Sequence, residues 1–184
     1  MINLNLGCWH RYIPGWVHVD LCDMPHIDHK SAIDSLPMFD DASVDLIYSS
    51  HSFEYFDRQS APRVLAEWHR VLKPGGLLRL AVPDFAALVE IYARTGATER
   101  VIGPLYGRME INTENGPQTL FHKTVYDYAS LSQMLVDNGF SDVRRYDWRD
   151  TIHKDYDDHS QAYFPHMDKE NGILVSLNVE ANKV

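Results

Sequence analysis

The sequence predicts a single-domain α/β sandwich on a mostly parallel seven-strand sheet whose last strand runs antiparallel. Three observations carry this expectation. Apolar runs of strand length alternate with segments of helical spacing, the pattern of parallel sheets. The 184 residues suit one core, with no internal repeat or linker. The last two strand-like runs, residues 143–148 and 173–179, have no helical segment between them. The chain therefore returns through an excursion that reverses its direction, placing the final strand antiparallel between its neighbours.

Each element has a local reason. Residues 2–6 alternate apolar and polar and stop at Gly7, which reads as a first strand. Residues 16–20 form a second, entered after Pro14-Gly15. A short third lies near residues 31–33, ended by Asp34-Ser35 and Leu36-Pro37. Residues 44–48 form a fourth, entered through Asp40-Asp41. A helix over 60–72 follows, with Ser60 as cap and Pro62 in the first turn. Its apolar face is Val64, Leu65, Trp68, Val71 and Leu72. Lys73-Pro74-Gly75-Gly76 stops it, residues 77–82 make the fifth strand, and Pro83-Asp84 ends that strand. A second helix covers 85–93, with Asp84 as cap and Gly96 beyond its end. Residues 97–128 read as irregular, and a connection this long is functional or mobile in a compact domain. A third helix covers 130–138, where Ser130 and Gln133 have capping-box spacing and Gly139 suits a left-handed terminus.

Composition narrows the function. With 45% hydrophobic and 23% charged residues, the chain is neither a disordered tail nor collagen-like. The N-terminus has no basic region or long apolar stretch, and no segment approaches the roughly 18 apolar residues of a membrane span. The expectation is a cytoplasmic chain with no membrane partner. Cys8 and Cys22 cannot build a multi-bridge framework, which fits a reducing compartment. The net charge is -9, and the densest basic group, Arg144, Arg145, Arg149 and Lys154, is interleaved with Asp147, Asp150 and Asp155. Such a face is solvated rather than phosphate-binding, so a small-molecule substrate is expected and nucleic acid is not.

The first candidate site is Leu4-Asn5-Leu6-Gly7-Cys8 with Asp20. A strand ending in glycine lets the backbone approach a ligand. An acid after the next strand, Asp20 beside Leu21, can accept from both hydroxyls of a ribose. Twelve residues separate Gly7 from Asp20, too few for a phosphate-binding helix, so a ligand without phosphate fits better. The same pair is equally compatible with a turn glycine and a solvated strand end. Asp34-Ser35 can read an adenine edge or simply make a turn before Pro37. Ser50 and His51 follow the fourth strand, where ligands bind in such sheets. His51 is either a general base or a ring packed beside the ligand.

The run Val64 to Gly76, containing RVLKPGG, with the strand after it, resembles the corresponding motif of class I S-adenosylmethionine-dependent methyltransferases. The combination of Gly7 and Cys8, Asp20, Leu36-Pro37 with Asp45, and Glu54 resembles the same family, as does Asn138-Gly139-Phe140 before Val143. The likeness covers most of residues 1–148. It is strongest to short members lacking the helix after the first strand, often met beside glycosyltransferases of surface-polysaccharide pathways. The resemblance implies a Rossmann-like methyltransferase sandwich with S-adenosylmethionine as cofactor. It places Gly7 and Cys8 near the methionine part, Asp20 on the ribose, Asp34 and Ser35 beside the adenine, and Ser50 and His51 on the floor. The implied activity is methyl transfer to a small polar acceptor such as a sugar or sugar nucleotide, with His51 or His122 as base for a hydroxyl.

One departure is Trp9, which stands where the family usually has a second glycine. It motivates an alternative: a non-catalytic binding module with a degenerate cofactor loop. The cluster His153, Asp155, Asp157, Asp158, His159, His166 and Asp168 matches no closed metal signature, and a solvated acidic loop is the expectation.

Overall fold

The computed structural model describes residues 1–113 and 116–184. In chain order the elements are β1 (Asn3–Leu6), β2 (Val17–Asp20), β3 (His29–Lys30), β4 (Val44–Ser50), α1 (Ala61–Val71), β5 (Leu72–Pro83), α2 (Phe85–Thr95), α3 (Ile102–Tyr106), β6 (Met109–Thr113), β7 (Gly116–Leu120), α4 (Tyr128–Asp137), β8 (Phe140–Arg145), β9 (Tyr163–Phe164), β10 (Ile173–Leu174) and β11 (Ser176–Lys183). The main sheet has seven strands in the order β3-β2-β1-β4-β5-β11-β8. Its pairs are parallel from β3 to β5, and β11 lies antiparallel between β5 and β8. This is the expected architecture.

Strand alternation gives the sheet two different faces. Leu4, Leu6, Val19, Ile47, Leu78, Leu80, Val82, Leu177 and Val179 point to one, where they meet Val64, Leu65, Trp68 and Val71 of α1 and Leu131 and Leu135 of α4. Trp68 is fully buried and its indole N–H donates to the Ile33 carbonyl (2.7 Å). The opposite face carries Asn5, His18, Tyr48, Arg79, Asn178 and Glu180, all buried. Toward β4 and β11 it is covered by an irregular segment running from Trp148 to Gln161.

That covering segment corrects the solvated-loop expectation. His153, Ser160 and Gln161 are buried, although Asp155, Asp157 and His166 are exposed as expected. The His153 ring lies 4.1 Å from that of Tyr48, and Asn178 Nδ2 donates to the Ser160 carbonyl (2.9 Å). Asp158 accepts from the Tyr48 hydroxyl (2.6 Å), Ser50 Oγ (3.2 Å) and the Ser160 amide (2.7 Å). Asp158, Tyr48 and Asn178 satisfy much of this buried polarity, whereas His153 Nε2 and Ser160 Oγ find no hydrogen-bond partner among the described residues.

Other expectations move in detail. The third strand lies at residues 29–30 rather than 31–33, because Ile33 turns into the apolar core. Residues 97–128 are partly regular. They hold the short α3 and an antiparallel hairpin of β6 and β7, with Glu114 and Asn115 outside the described residues. Ser60 makes no capping bond to α1; Asp57 accepts from the Gln59 and Ser60 amides instead. The capping box of α4 is formed by Asp127 and Ser130, one turn earlier than Ser130 and Gln133, because the helix begins at Tyr128. Asp84 caps α2 and Gly96 closes it in the left-handed conformation, both as expected. Residues 143–148 shift to β8 at 140–145. Ile173 and Leu174 pair with β9 instead of joining β11, which starts at Ser176.

Candidate active site

Two cavities open at the carboxyl ends of β1, β2 and β4, and they share Gly7, His51, Tyr55 and Met109. The smaller, of about 150 Å³, is lined by Asp20, Leu21, Cys22, Ile33, Asp34 and the hairpin residues Met109, Ile111 and Leu120. The larger, of about 470 Å³, is lined by Cys8, Trp9, Arg11, Ser50, His122, Asp158 and His159, among others.

The first strand ends at Gly7 for a definite reason. Its φ is +68°, and a Cβ there would overlap the side chain of Ser52. Glycine thus admits the turn after β4 rather than only a ligand. Trp9, two positions on, has a φ of +47°, a left-handed conformation that a bulky residue seldom adopts. It is fixed at both backbone ends: its amide donates to Asp20 (2.7 Å), and its carbonyl lies 2.9 Å from His26 Nε2. The indole is half-buried and packs edge-on against His10 at 4.2 Å. His51 also has positive φ, +52°, held by its amide bond to the Ala81 carbonyl (2.7 Å). Backbone strain of this kind gathers at functional sites.

Asp20 is 7% exposed and accepts from two amides, Trp9 and Cys22 (2.8 Å). A carboxylate has about four lone-pair positions, so two bonds fix its orientation without exhausting it. Asp34 lies across the same cavity, paired with Arg63 at 3.2 Å. Burial pushes the Cys22 thiol up to about 12 and that of Cys8 higher still, so both stay neutral.

The larger cavity is walled by imidazoles. Burial drives the pKa of His51 well below its ordinary value and lowers that of His122. Burial, then the Arg11 charge, lowers that of His159. Between His51 and His122 sits Glu54, in a 3-10 turn from Phe53 to Tyr55. Its Oε1 is 3.6 Å from His51 Nδ1 and 3.5 Å from His122 Nε2. Burial pushes Glu54 up to about 8.

Gly7, Cys8, Asp20, Leu21, Asp34, Ser50, His51 and His122 all lie on the walls of one cavity or the other. Ser35 does not. It is exposed and lines neither, because Leu36 turns into the apolar core and its amide is taken by Glu67 (2.6 Å). Asp158 and His159 reach the wall from a segment read as solvent-facing. In the sequence Glu54 closes the polar run Ser49 to Glu54 after the fourth strand and belongs to the family likeness, with no role of its own assigned. Its own signal was an acid set among Phe53, Tyr55 and Phe56, three residues after His51, where a solvated acid would be out of place.

Known proteins share this fold and part of this sequence. Residues 17–80 match the family described as methyltransferase domain. Malonyl-[acyl-carrier protein] O-methyltransferase 1 of Coxiella burnetii is 30% identical over 105 residues. That alignment covers 54% of this chain and 36% of the relative, so the chain spans about a third of its length. Among solved structures, a methyltransferase from Methanosarcina mazei superposes with a TM-score of 0.58 at 16% identity, over 99% of this chain and 92% of that one. The Burkholderia thailandensis 1,6-didemethyltoxoflavin-N1-methyltransferase, solved with its substrate and S-adenosylhomocysteine, gives 0.56 at 14% identity over 100% and 71%. The chain has the Rossmann-like methyltransferase fold, and these findings support the resemblance to the class I S-adenosylmethionine-dependent family.

Proposed function

We propose that this chain binds S-adenosylmethionine and transfers its methyl group to a small polar acceptor such as a sugar or sugar nucleotide. The observation that carries the reading is the pair of adjoining cavities at the carboxyl ends of β1, β2 and β4, where ligands bind in open α/β sheets. When bound, the cofactor supplies a methyl group already activated by its sulfonium.

The residues fit that group. Asp20 keeps lone pairs for the ribose hydroxyls, and Asp34 flanks the adenine in the smaller cavity. Gly7, Cys8 and Ser50 border the methionine end, with Trp9 as a wall. The larger cavity falls within the size range of small-molecule sites, and Arg11 and His159 offer polar contacts there. Holding the acceptor in line with the methyl group supplies much of the acceleration. For a hydroxyl acceptor, His51 or His122 receives the proton, since both are held neutral at pH 7 by burial. A carboxylate acceptor needs no base. The Coxiella burnetii relative is named an O-methyltransferase, which supports an oxygen acceptor. Among the described residues no helix is long and apolar enough to cross a membrane. We place the protein in the cytoplasm, with small molecules rather than nucleic acid as partners.

Calorimetric titration with S-adenosylmethionine and S-adenosylhomocysteine tests the cofactor, and labelled-methyl transfer to a panel of sugars and sugar nucleotides tests the acceptor. Binding of both cofactor forms is expected. If neither binds to the folded chain, the non-catalytic module is the better reading.

A further inference from the structure

Two hydrogen-bond chains, each ending on a main-chain carbonyl, fix where protons lie in the larger cavity. Asn178 Nδ2 donates to the Ser160 carbonyl (2.9 Å), which leaves Asn178 Oδ1 as an acceptor. Ser176 Oγ donates to that oxygen (2.8 Å). Its lone pairs therefore receive a proton from His51 Nε2, 3.0 Å away. A neutral imidazole carries one N–H, so His51 Nδ1 is bare. The second chain is shorter. His122 Nδ1 lies 2.9 Å from the Pro104 carbonyl, which can only accept. The His122 proton is on Nδ1, and Nε2 is bare. The ring has little room to turn over: Tyr55 packs edge-on at 4.7 Å, and Gly107 is pressed so close that a Cβ would overlap the imidazole.

Both bare nitrogens face one group, Glu54 Oε1, at 3.6 and 3.5 Å. The Glu54 side chain is 1% exposed, and neither carboxyl oxygen has a hydrogen-bond partner among the described residues. An ionised carboxylate there would meet two lone pairs and no donor. A buried charge without compensation costs several kcal/mol, and a group so placed neutralises instead.

We infer that Glu54 is a carboxylic acid at neutral pH, its single proton lying between the bare nitrogens of His51 and His122, and that it acts as a positioning residue for the base. The inference rests on the methyltransferase reading for its consequence. One carboxyl proton can engage one ring at a time. The other ring keeps its lone pair, and that nitrogen takes the proton an acceptor hydroxyl loses; nothing is oxidised or reduced. Burial acts in the same direction on all three groups, raising Glu54 to about 8 and lowering both imidazoles. The other titratable groups facing the cluster are the phenols of Tyr55 and Tyr126, both raised by burial and neutral, and His159, 5.2 Å behind His51. Lys123, whose amide donates to the Glu54 carbonyl (2.9 Å), is exposed.

The test uses ligand-free protein with carboxyl-¹³C glutamate and ring-¹⁵N histidine, observed by NMR as a function of pH, with metal content measured on the same sample. Glu54 should titrate near pH 8, well above the usual carboxylate range. At pH 7, His51 should be the Nε2–H tautomer and His122 the Nδ1–H tautomer, both neutral. Glu54→Gln and Glu54→Leu should both preserve the two tautomers, which the carbonyl-anchored chains set, and both should remove the titration near pH 8. Titration of Glu54 in the ordinary range, a cationic ring at pH 7, or a stoichiometric divalent metal retained by the protein would each overturn the inference. The wild type alone decides this if Glu54→Leu does not fold. A normal Glu54 titration with intact cofactor binding defeats only this inference. A raised titration without cofactor binding defeats only the function.

Discussion

On one side of the main sheet, Leu4, Leu6, Ile47, Leu78 and Val82 pack against Trp68 and Leu65, and the contact is apolar throughout. On the other, Tyr48 and Asn178 hydrogen-bond to Asp158 and the Ser160 carbonyl, the His153 ring lies against Tyr48, and within the sheet Arg79 pairs with Glu180 at 2.8 Å. The first side is held by removal of apolar surface from water, which is non-directional and tolerant of detail. The second depends on directed hydrogen bonds such as Tyr48 to Asp158 and Asn178 to Ser160, which hold those residues in fixed orientations. The larger cavity draws Ser50, His51 and Asp158 from the second side. A network that fixes rotamers thus supports the groups whose geometry matters for chemistry.

Four substitutions and a pH experiment probe that contrast. The largest loss should come from Trp68→Ala, about 3–5 kcal/mol of unfolding free energy, from the cavity left by a fully buried indole. Urea denaturation measures it, and a loss below about 1 kcal/mol would mean the apolar side is not the main support. Asp158→Ala should cost about 2–3 kcal/mol by leaving the buried Tyr48 hydroxyl without its acceptor. It should also abolish methyl transfer while the protein still folds, because the cavity wall loses its anchor; unchanged activity would separate the network from the site. Asp20→Ala should weaken S-adenosylhomocysteine binding by about 1.5–3 kcal/mol, the worth of hydrogen bonds to a charged group. Calorimetry on folded mutant protein reads this directly, and unaltered affinity would remove the ribose assignment.

The pH experiment concerns His153, whose pKa burial lowers from 6.5 to about 4. Between those values the unfolded chain binds a proton that the folded chain refuses, so stability should fall as pH drops from about 6.5 toward 4. Replacing His153 with Gln should flatten that fall by one proton, seen in urea midpoints at pH 7 and pH 5; an unchanged slope would place the titration elsewhere. The smallest effect is expected from Trp9→Gly. Relief of its positive φ should offset the lost packing, leaving stability within about 1 kcal/mol and cofactor affinity similar or slightly lower. Binding by the mutant and none by the wild type would show the indole to be a plug.

The apolar side was readable in the sequence because its rule is composition at fixed period. Val64, Leu65, Trp68 and Val71 announced α1, and the alternation in residues 2–6 announced β1. The polar side was not readable by that rule. His153, Asp158 and Ser160 have the composition of a solvated loop, and only the placement of Tyr48 and Asn178 opposite them buries His153 and Ser160 and half-buries Asp158. Ser35 lies off the cavities for the converse reason: it sits beside Asp34, which lines the smaller one, but the burial of Leu36 turns it outward. Residues 97–128 looked structureless since the alternation of Met109–Thr113 is short, with Met109 and Ile111 as its apolar residues, and its partner Gly116–Leu120 carries Pro117, Gln118 and Thr119 with no alternation.

The position of β11 has a bearing on synthesis. This strand follows every other described one, yet it fills the slot between β5 and β8, with Glu180 reaching Arg79 across 101 positions of sequence. Until the ribosome has passed it, β5 presents an unpaired edge bearing Leu78, Leu80 and Val82, and α4 has no finished surface to dock on. Pairings between such distant segments form slowly and leave sticky edges waiting. Ser176, the first residue of the strand, is also the one that sets the His51 proton. A nascent chain lacking β11 is therefore both an open sheet and a cavity without the hydroxyl that meets His51 Nε2.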